Sequence, residues 1–277
     1  MDKNHKKLRH KIFSLPAAAL ALLLALAPAF ACACDAREPD GDQIDLSDPS
    51  AEGIVTAAQL LRALEEGAQE LTLSASIDLG ADMLRLDRPG SRLAIAGNGF
   101  TISGNGDCLI RLANGCSLTL EDVSLNAGSN AIGCLGDASI SGNADIRAVA
   151  HAINAQGYVS VGEGSSLTVS SNVGSGVNAG GLRLARDARV LARGALGGVA
   201  VTRDDILLDT GSVLESSTDE NYNALKCEGT LVMLDGSKLV VTNNGDYHGA
   251  EISEISVTGA VTIEATGGNK GVGLFLF

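Results

Sequence analysis

Few side chains of this 277-residue sequence suit acid–base or nucleophilic chemistry. Of the histidines, His5 and His10 lie in a basic amino-terminal head, which leaves His151 and His248. Beyond Lys11 the lysines are Lys226, Lys238 and Lys270. The nearest approach to a paired-carboxylate centre is Asp204-Asp205, with Asp209 close by. Two carboxyls can serve as acid and base on a glycosidic bond. Adjacent residues of a strand, however, point to opposite faces, and in a turn such a pair is a solvated turn former. His151 has no acid or nucleophile beside it. Cys-x-x-Cys and paired-His spacings are absent, so the sequence predicts no metal centre of that kind.

A different chemistry is written near the carboxyl end. Asn221 and Tyr222 recur one repeat later as Asp246 and Tyr247, followed by His248, with Asn243 just upstream. Aromatic faces can pack on the apolar face of a sugar ring, while amide, carboxylate and imidazole groups bond its hydroxyls. Asn221, Tyr222, Asn243, Asp246, Tyr247 and His248 are therefore the candidate ligand-binding residues, with a stabilising side-chain ladder as the alternative. With 3% aromatic residues and no Trp, binding by such a strip would be weak.

The elements that must position this strip are read from Thr230 to Glu254. Leu231, Met233, Leu239 and Val241 alternate with their neighbours, as half-buried strands do. Asp235-Gly236 and Asn243-Asn244-Gly245 are turn formers. The unit recurs through the chain as a four-residue frame: Leu109–Leu112, Ala131–Cys134, Ala152–Ala155, Gly176–Ala179, Gly198–Val201, Ala224–Cys227, Gly249–Ile252 and Gly271–Leu274. Its second and fourth positions are apolar; its first and third vary, as outward positions do. A strand-rich repeat of this length predicts a parallel β-solenoid. Its coils number about eight, at a spacing of about 4.8 Å.

One interior ladder should then hold Ile110, Ile132, Ile153, Val177, Val199, Leu225, Ala250 and Val272. A second should hold Leu112, Cys134, Ala155, Ala179, Val201, Cys227, Ile252 and Leu274. That register puts Cys134 and Cys227 four coils and roughly 19 Å apart, beyond the reach of a disulfide. It sets Tyr222 opposite Tyr247, Asn223 opposite His248, and Lys226 opposite Glu251.

Thr56 to Glu66 is the one clear helix. Thr56 and Gln59 form a capping box, Val55 and Leu60 a staple, and Gly67 the stop. This helix is placed to cover the open end of the first coil.

Residues 1–33 read as an export signal: a basic head, an apolar run from Ala17 to Ala29, and small-x-small frames at Ala29-Phe30-Ala31 and Ala31-Cys32-Ala33. The run is short for a retained membrane anchor. Lipidation at Cys32 or Cys34 is the alternative outcome of cleavage, although Ala29 or Ala31 stands where Leu is usual. Removing five basic residues and one acid takes the formal charge from -13 to -17. That balance disfavours nucleic acid and anionic membranes and suits a secreted chain. No transmembrane segment is expected in the mature chain. Residues 34–55 are acidic and apolar-poor, as in a flexible spacer, and 56–277 form the solenoid domain.

The opening TAAQLLRALEEGAQELTLSASIDLG followed by RLAIAGNGFTISG resembles the start of right-handed parallel β-helix proteins of the pectate-lyase-like superfamily. The later stretch NALKCEGTLVMLDGSKLVVTNNGDYHGAE is similar to carbohydrate-binding β-helix domains of bacterial cell surfaces. The resemblance implies a right-handed parallel β-helix with an amino-terminal capping helix, and calcium held by acids before the third strand. At those places this sequence has Asp219-Glu220-Asn221-Tyr222 and Asn244-Gly245-Asp246-Tyr247, with fewer acids, displaced. Enzymes of the superfamily act on acidic glycans as lyases or hydrolases. The lyase motif that needs Trp is absent here, and no hydrolase motif of the superfamily is matched.

The reading favoured by the sequence is a secreted or surface-attached, non-catalytic module that binds a polysaccharide or cell-surface glycan, free or lipid-anchored to the envelope. A lyase or hydrolase for acidic glycans and a purely structural envelope protein are the alternatives. The terminal Leu274-Phe275-Leu276-Phe277 carries no polar cap, which suggests either end-to-end self-association through the last coil or a fragment.

Overall fold

The computed structural model describes residues 53–277. The signal assigned to 1–33, the lipidation candidates Cys32 and Cys34, and the spacer up to residue 52 lie outside the described residues. The solenoid begins slightly before the expected boundary. Ile54 is buried and bridges Leu73, its N–H donating to the Thr72 carbonyl at 2.7 Å. Within the unit Leu46–Phe277, the chain winds as an all-β parallel solenoid of about nine turns. One sheet has nine strands, from Ile77–Asp78 to Thr262–Thr266.

Each coil contributes three runs. The first runs are Glu70–Thr72, Arg92–Ala96, Cys116–Glu121 and their successors; the third runs are Leu84–Leu86, Cys108–Leu112, Asn130–Cys134 and theirs. In late coils the third run continues into the next first run, as Leu225–Met233 and Ala250–Val257, with a register shift between Cys227 and Thr230. Those long strands join two faces of the solenoid into one 16-stranded sheet.

Alternation decides which side chains enter. The ladder Ile110, Ile132, Ile153, Val177, Val199, Leu225 and Ala250 is in register and buried, and Leu84 extends it one coil earlier. The second ladder holds too, with Leu86 at its start and Cys134 and Cys227 inside it. Each large member is worth about 1.5–3 kcal/mol of burial. Burial pushes the Cys227 thiol up to about 11, so it behaves as a small hydrophobe.

Three expectations need correction. At the last rung Ala250 pairs with Leu274 and Ile252 with Leu276, two residues beyond the expected partners, and Val272 is exposed. The first frame position is not outward: Leu109, Ala131, Ala152 and Ala224 are buried. A Cβ at Gly198 would collide with the Ala192 carbonyl and Ser216 Oγ, which is why glycine stands there. Finally, Val55 is exposed and makes no staple.

The helix, α1, spans Ala57–Glu65. Thr56 Oγ1 accepts from the Gln59 N–H, and Gln59 returns a bond to the Thr56 N–H, as the capping box requires. Gly67 follows the C-cap at φ +88°, a conformation that favours glycine. Leu60 is fully buried in the solenoid core, and Leu61 and Leu64 pack against it.

Candidate ligand-binding site

The turn after the second run is longer in the late coils than in the earlier ones. Between register-matched residues, four residues link Ala127 to Ile132, four link Ala148 to Ile153, and five link Ser171 to Val177. Six link Thr218 to Leu225 and six link Asn243 to Ala250. The long turns bulge past the coil and carry the candidate residues.

Asn243 does not line a surface. It continues the inward alternation of Leu239 and Val241 and is 2% exposed. Its Nδ2 donates to the carbonyls of Tyr222 (2.6 Å) and His248 (2.9 Å), and its Oδ1 accepts from the Gly245 N–H at 2.7 Å. It ties two successive turns together and thereby shapes the site. Buried polar groups need such partners.

The remaining candidates gather at the surface. Asn221, Asp246, Tyr247 and His248 line a shallow groove of about 360 Å³ with Lys270 and Gly271. Tyr222 and Tyr247 are each 52% exposed, one coil apart. The ring that meets Tyr247 is His248, edge-on at 6.4 Å, and His248 in turn stacks on Phe275 at 4.7 Å, 7° from parallel. His248 Nδ1 accepts from the Val272 N–H at 3.1 Å. The neutral ring therefore carries its proton on Nε2, a donor left for a ligand.

Charge in the groove is paired. Lys270 Nζ lies 2.5 Å from Asp246 Oδ2, and Asn269 donates to Asp246 Oδ1 at 3.4 Å. Lys270 and then Asn269 hold the Asp246 carboxyl below the usual range, and Asp246 holds Lys270 above its own. One coil earlier Asp219 accepts from Asn244 Nδ2 at 2.8 Å and pairs with Arg193, and its carboxyl is held low, chiefly by Asn244. Asp219 and Asp246, at the places where the resemblance implied calcium, thus each pair with a side-chain cation. Among the described residues no group of three His, Cys, Asp or Glu could hold a metal ion.

Asp205, Asp209, His151 and Lys226 make contacts of their own. Asp205 Oδ1 accepts from the Thr230 N–H of the next coil at 2.7 Å, and Asp209 Oδ1 from the Thr210 N–H at 2.6 Å, while Asp204 is exposed in its turn. His151 Nδ1 accepts from the Ser175 N–H at 3.0 Å, and burial pushes its pKa down. Lys226 stands beside Glu251 as expected, but its Nζ is bound to Glu228 at 2.8 Å.

Lys270 and Gly271 of the groove lining, and Phe275 stacked on His248, are the residues that sequence reasoning missed. The cause is the two-residue slip at the last rung. Placing Gly271-Val272 over Gly249-Ala250 set Lys270 against His248, whereas pairing Ala250 with Leu274 sets it against Asp246.

No family model matches the chain, and no curated protein resembles it closely enough to count as a match. Two solved structures are similar in outline. "L. reuteri 53608 SRRP" is 13% identical, with a TM-score of 0.48 over 80% of this chain and 98% of that one. "L. reuters 100-23 SRRP" is 11% identical, with a TM-score of 0.48 over 80% of this chain and 94% of that one. Likeness at that level carries no functional argument, and the site stands on its own geometry. Among the described residues no helix is long and apolar enough to cross a membrane.

Proposed function

We propose that this chain is a secreted or surface-attached, non-catalytic module that binds carbohydrate at the groove of its last coils. The observation that carries the reading is the pair Tyr222 and Tyr247, half exposed and one coil apart, with Tyr247 in the groove lining and Tyr222 next in sequence to Asn221, which also lines it. Half-exposed tyrosines offer flat apolar faces to a sugar ring. Asn221, the Nε2–H of His248 and the tyrosine hydroxyls supply donors and acceptors for its hydroxyls. Export rests on the basic head, apolar run and cleavage frames of residues 1–33, and lipidation of Cys32 or Cys34 would hold the module at the envelope. The right-handed, pectate-lyase-like resemblance belongs to this reading as well.

A purely structural envelope repeat is the second reading. It is favoured by the side-chain ties from coil to coil, Asn244 to Asp219 and Lys270 to Asp246. Retention on immobilised glycans separates the two. The purified chain is expected to be retarded on at least one polysaccharide, and Tyr222→Ala with Tyr247→Ala to abolish the retardation without lowering the melting temperature. Unchanged retention in the double variant would dismiss the groove.

A further inference from the structure

Resting on the glycan reading, we infer that Asp246 is a specificity-determining residue: by neutralising Lys270 it restricts the groove to uncharged sugars. Lys270 is the one cation among the groove's lining residues, and its ammonium lies 2.5 Å from the Asp246 carboxylate. A uronic acid or sulfated sugar entering the groove would meet no free positive partner. It would have to displace a carboxylate already placed there, and would itself sit beside that like charge.

The nearby charges reinforce this. Glu220 belongs to the preceding turn, and Glu251 follows His248 and accepts from Asn223 Nδ2. Two other cations of the late coils are already paired, Lys226 with Glu228 and Arg193 with Asp219. The whole chain carries a formal charge of -13. Neutral hydroxyls lose nothing to this arrangement, since amide, imidazole and phenol groups pair with them without net charge.

Because Asp246 and Lys270 are both at the surface, the pair can be opened without touching the core. Asp246→Asn keeps the shape and leaves an unopposed ammonium in the groove. An unopposed ammonium facing a carboxylate makes a charge-assisted bond, stronger than a neutral one. The test is affinity electrophoresis of the full chain through a neutral galactan or mannan and through polygalacturonate, at fixed low salt. The wild-type chain should be retarded by a neutral polymer and not by polygalacturonate. Asp246→Asn should gain retardation by polygalacturonate of about tenfold, the factor that 1.4 kcal/mol carries, and lose it as salt is raised. Asp246→Asn with Lys270→Gln should lose that gain. Wild-type preference for polygalacturonate, or an Asp246→Asn variant no better on it, overturns this inference alone. Retardation by neither polymer class overturns the glycan reading, and this inference with it.

Discussion

His151 and His248 occupy the same corner of the solenoid, four coils apart, and make the same bond. Each turns Nδ1 to a backbone N–H of the next coil, Ser175 at 3.0 Å and Val272 at 3.1 Å. Their surroundings differ. His151 lies within a turn of four residues, and the Ser175 it serves is buried. His248 lies within a turn of six, beside Tyr247 and against Phe275, and the Val272 it serves is exposed. The corner is thus a general device for closing one coil on the next. Two extra residues turn it into a recess by pushing Asp246 and Tyr247 beyond the wall. On this account binding is a property of turn length, laid over an interior that does not change its rule.

The comparison can be broken most heavily in the interior. Ile153, just after the first corner, is buried in the ladder where the second corner already has Ala250. Ile153→Ala should cost about 2–5 kcal/mol in urea unfolding and leave glycan retention of the folded fraction unaltered. Next come the histidines. His151→Ala strands a buried N–H and should cost about 1–3 kcal/mol. His151→Asn should recover most of that, because Asn130 one coil earlier accepts from the His151 N–H with its own Oδ1. His248→Ala frees an N–H that water can reach and should cost under about 1 kcal/mol, yet lose retention. Equal stability losses at the two corners would contradict the distinction drawn between them.

Acidity should separate the two ends of the chain further. Burial holds His151 below its ordinary 6.5 in the fold, so as pH falls the unfolded chain takes up this proton first. Its contribution is complete above about pH 6.5 and drains away as pH drops through the lower folded value. Urea midpoints should therefore fall between about pH 7 and pH 5, and less steeply in His151→Asn. The depressed carboxyls of Asp219 and Asp246 are lost only in stronger acid, below their ordinary 3.8. The smallest effect is expected at the wall itself. Asp145→Asn removes the exposed pair with Arg147 and should shift stability by about 0–1 kcal/mol, with no change in binding.

Much of the interior was legible because a period of two leaves little choice. Once Ile132 and Cys134 face inward, Ile153 and Ala155 must as well, and one slipped residue would turn every apolar group to water. Corners were not legible by that rule. Ala131 and Ala152 look indifferent in sequence, yet both are fully buried. Asn243 could have been read correctly, since it continues the count from Leu239 and Val241, but its Asn-Asn-Gly setting suggested a surface turn. Lys270 and Phe275 could not be placed, because Gly271-Val272 and Gly273-Leu274 fit the same frame and only packing chooses between them. That choice brings Lys270 to Asp246 and Phe275 to His248, and so decides half of the site.

The most direct measurement is a titration of the isotopically labelled chain with a neutral oligosaccharide, followed by nuclear magnetic resonance. Saturable shifts confined to Asn221, Tyr222, Tyr247, His248 and Gly271, with His151 and Ser175 silent, are the result expected if the lengthened turn makes the site. Shifts centred on the His151 corner, or spread evenly along the coils, would contradict it.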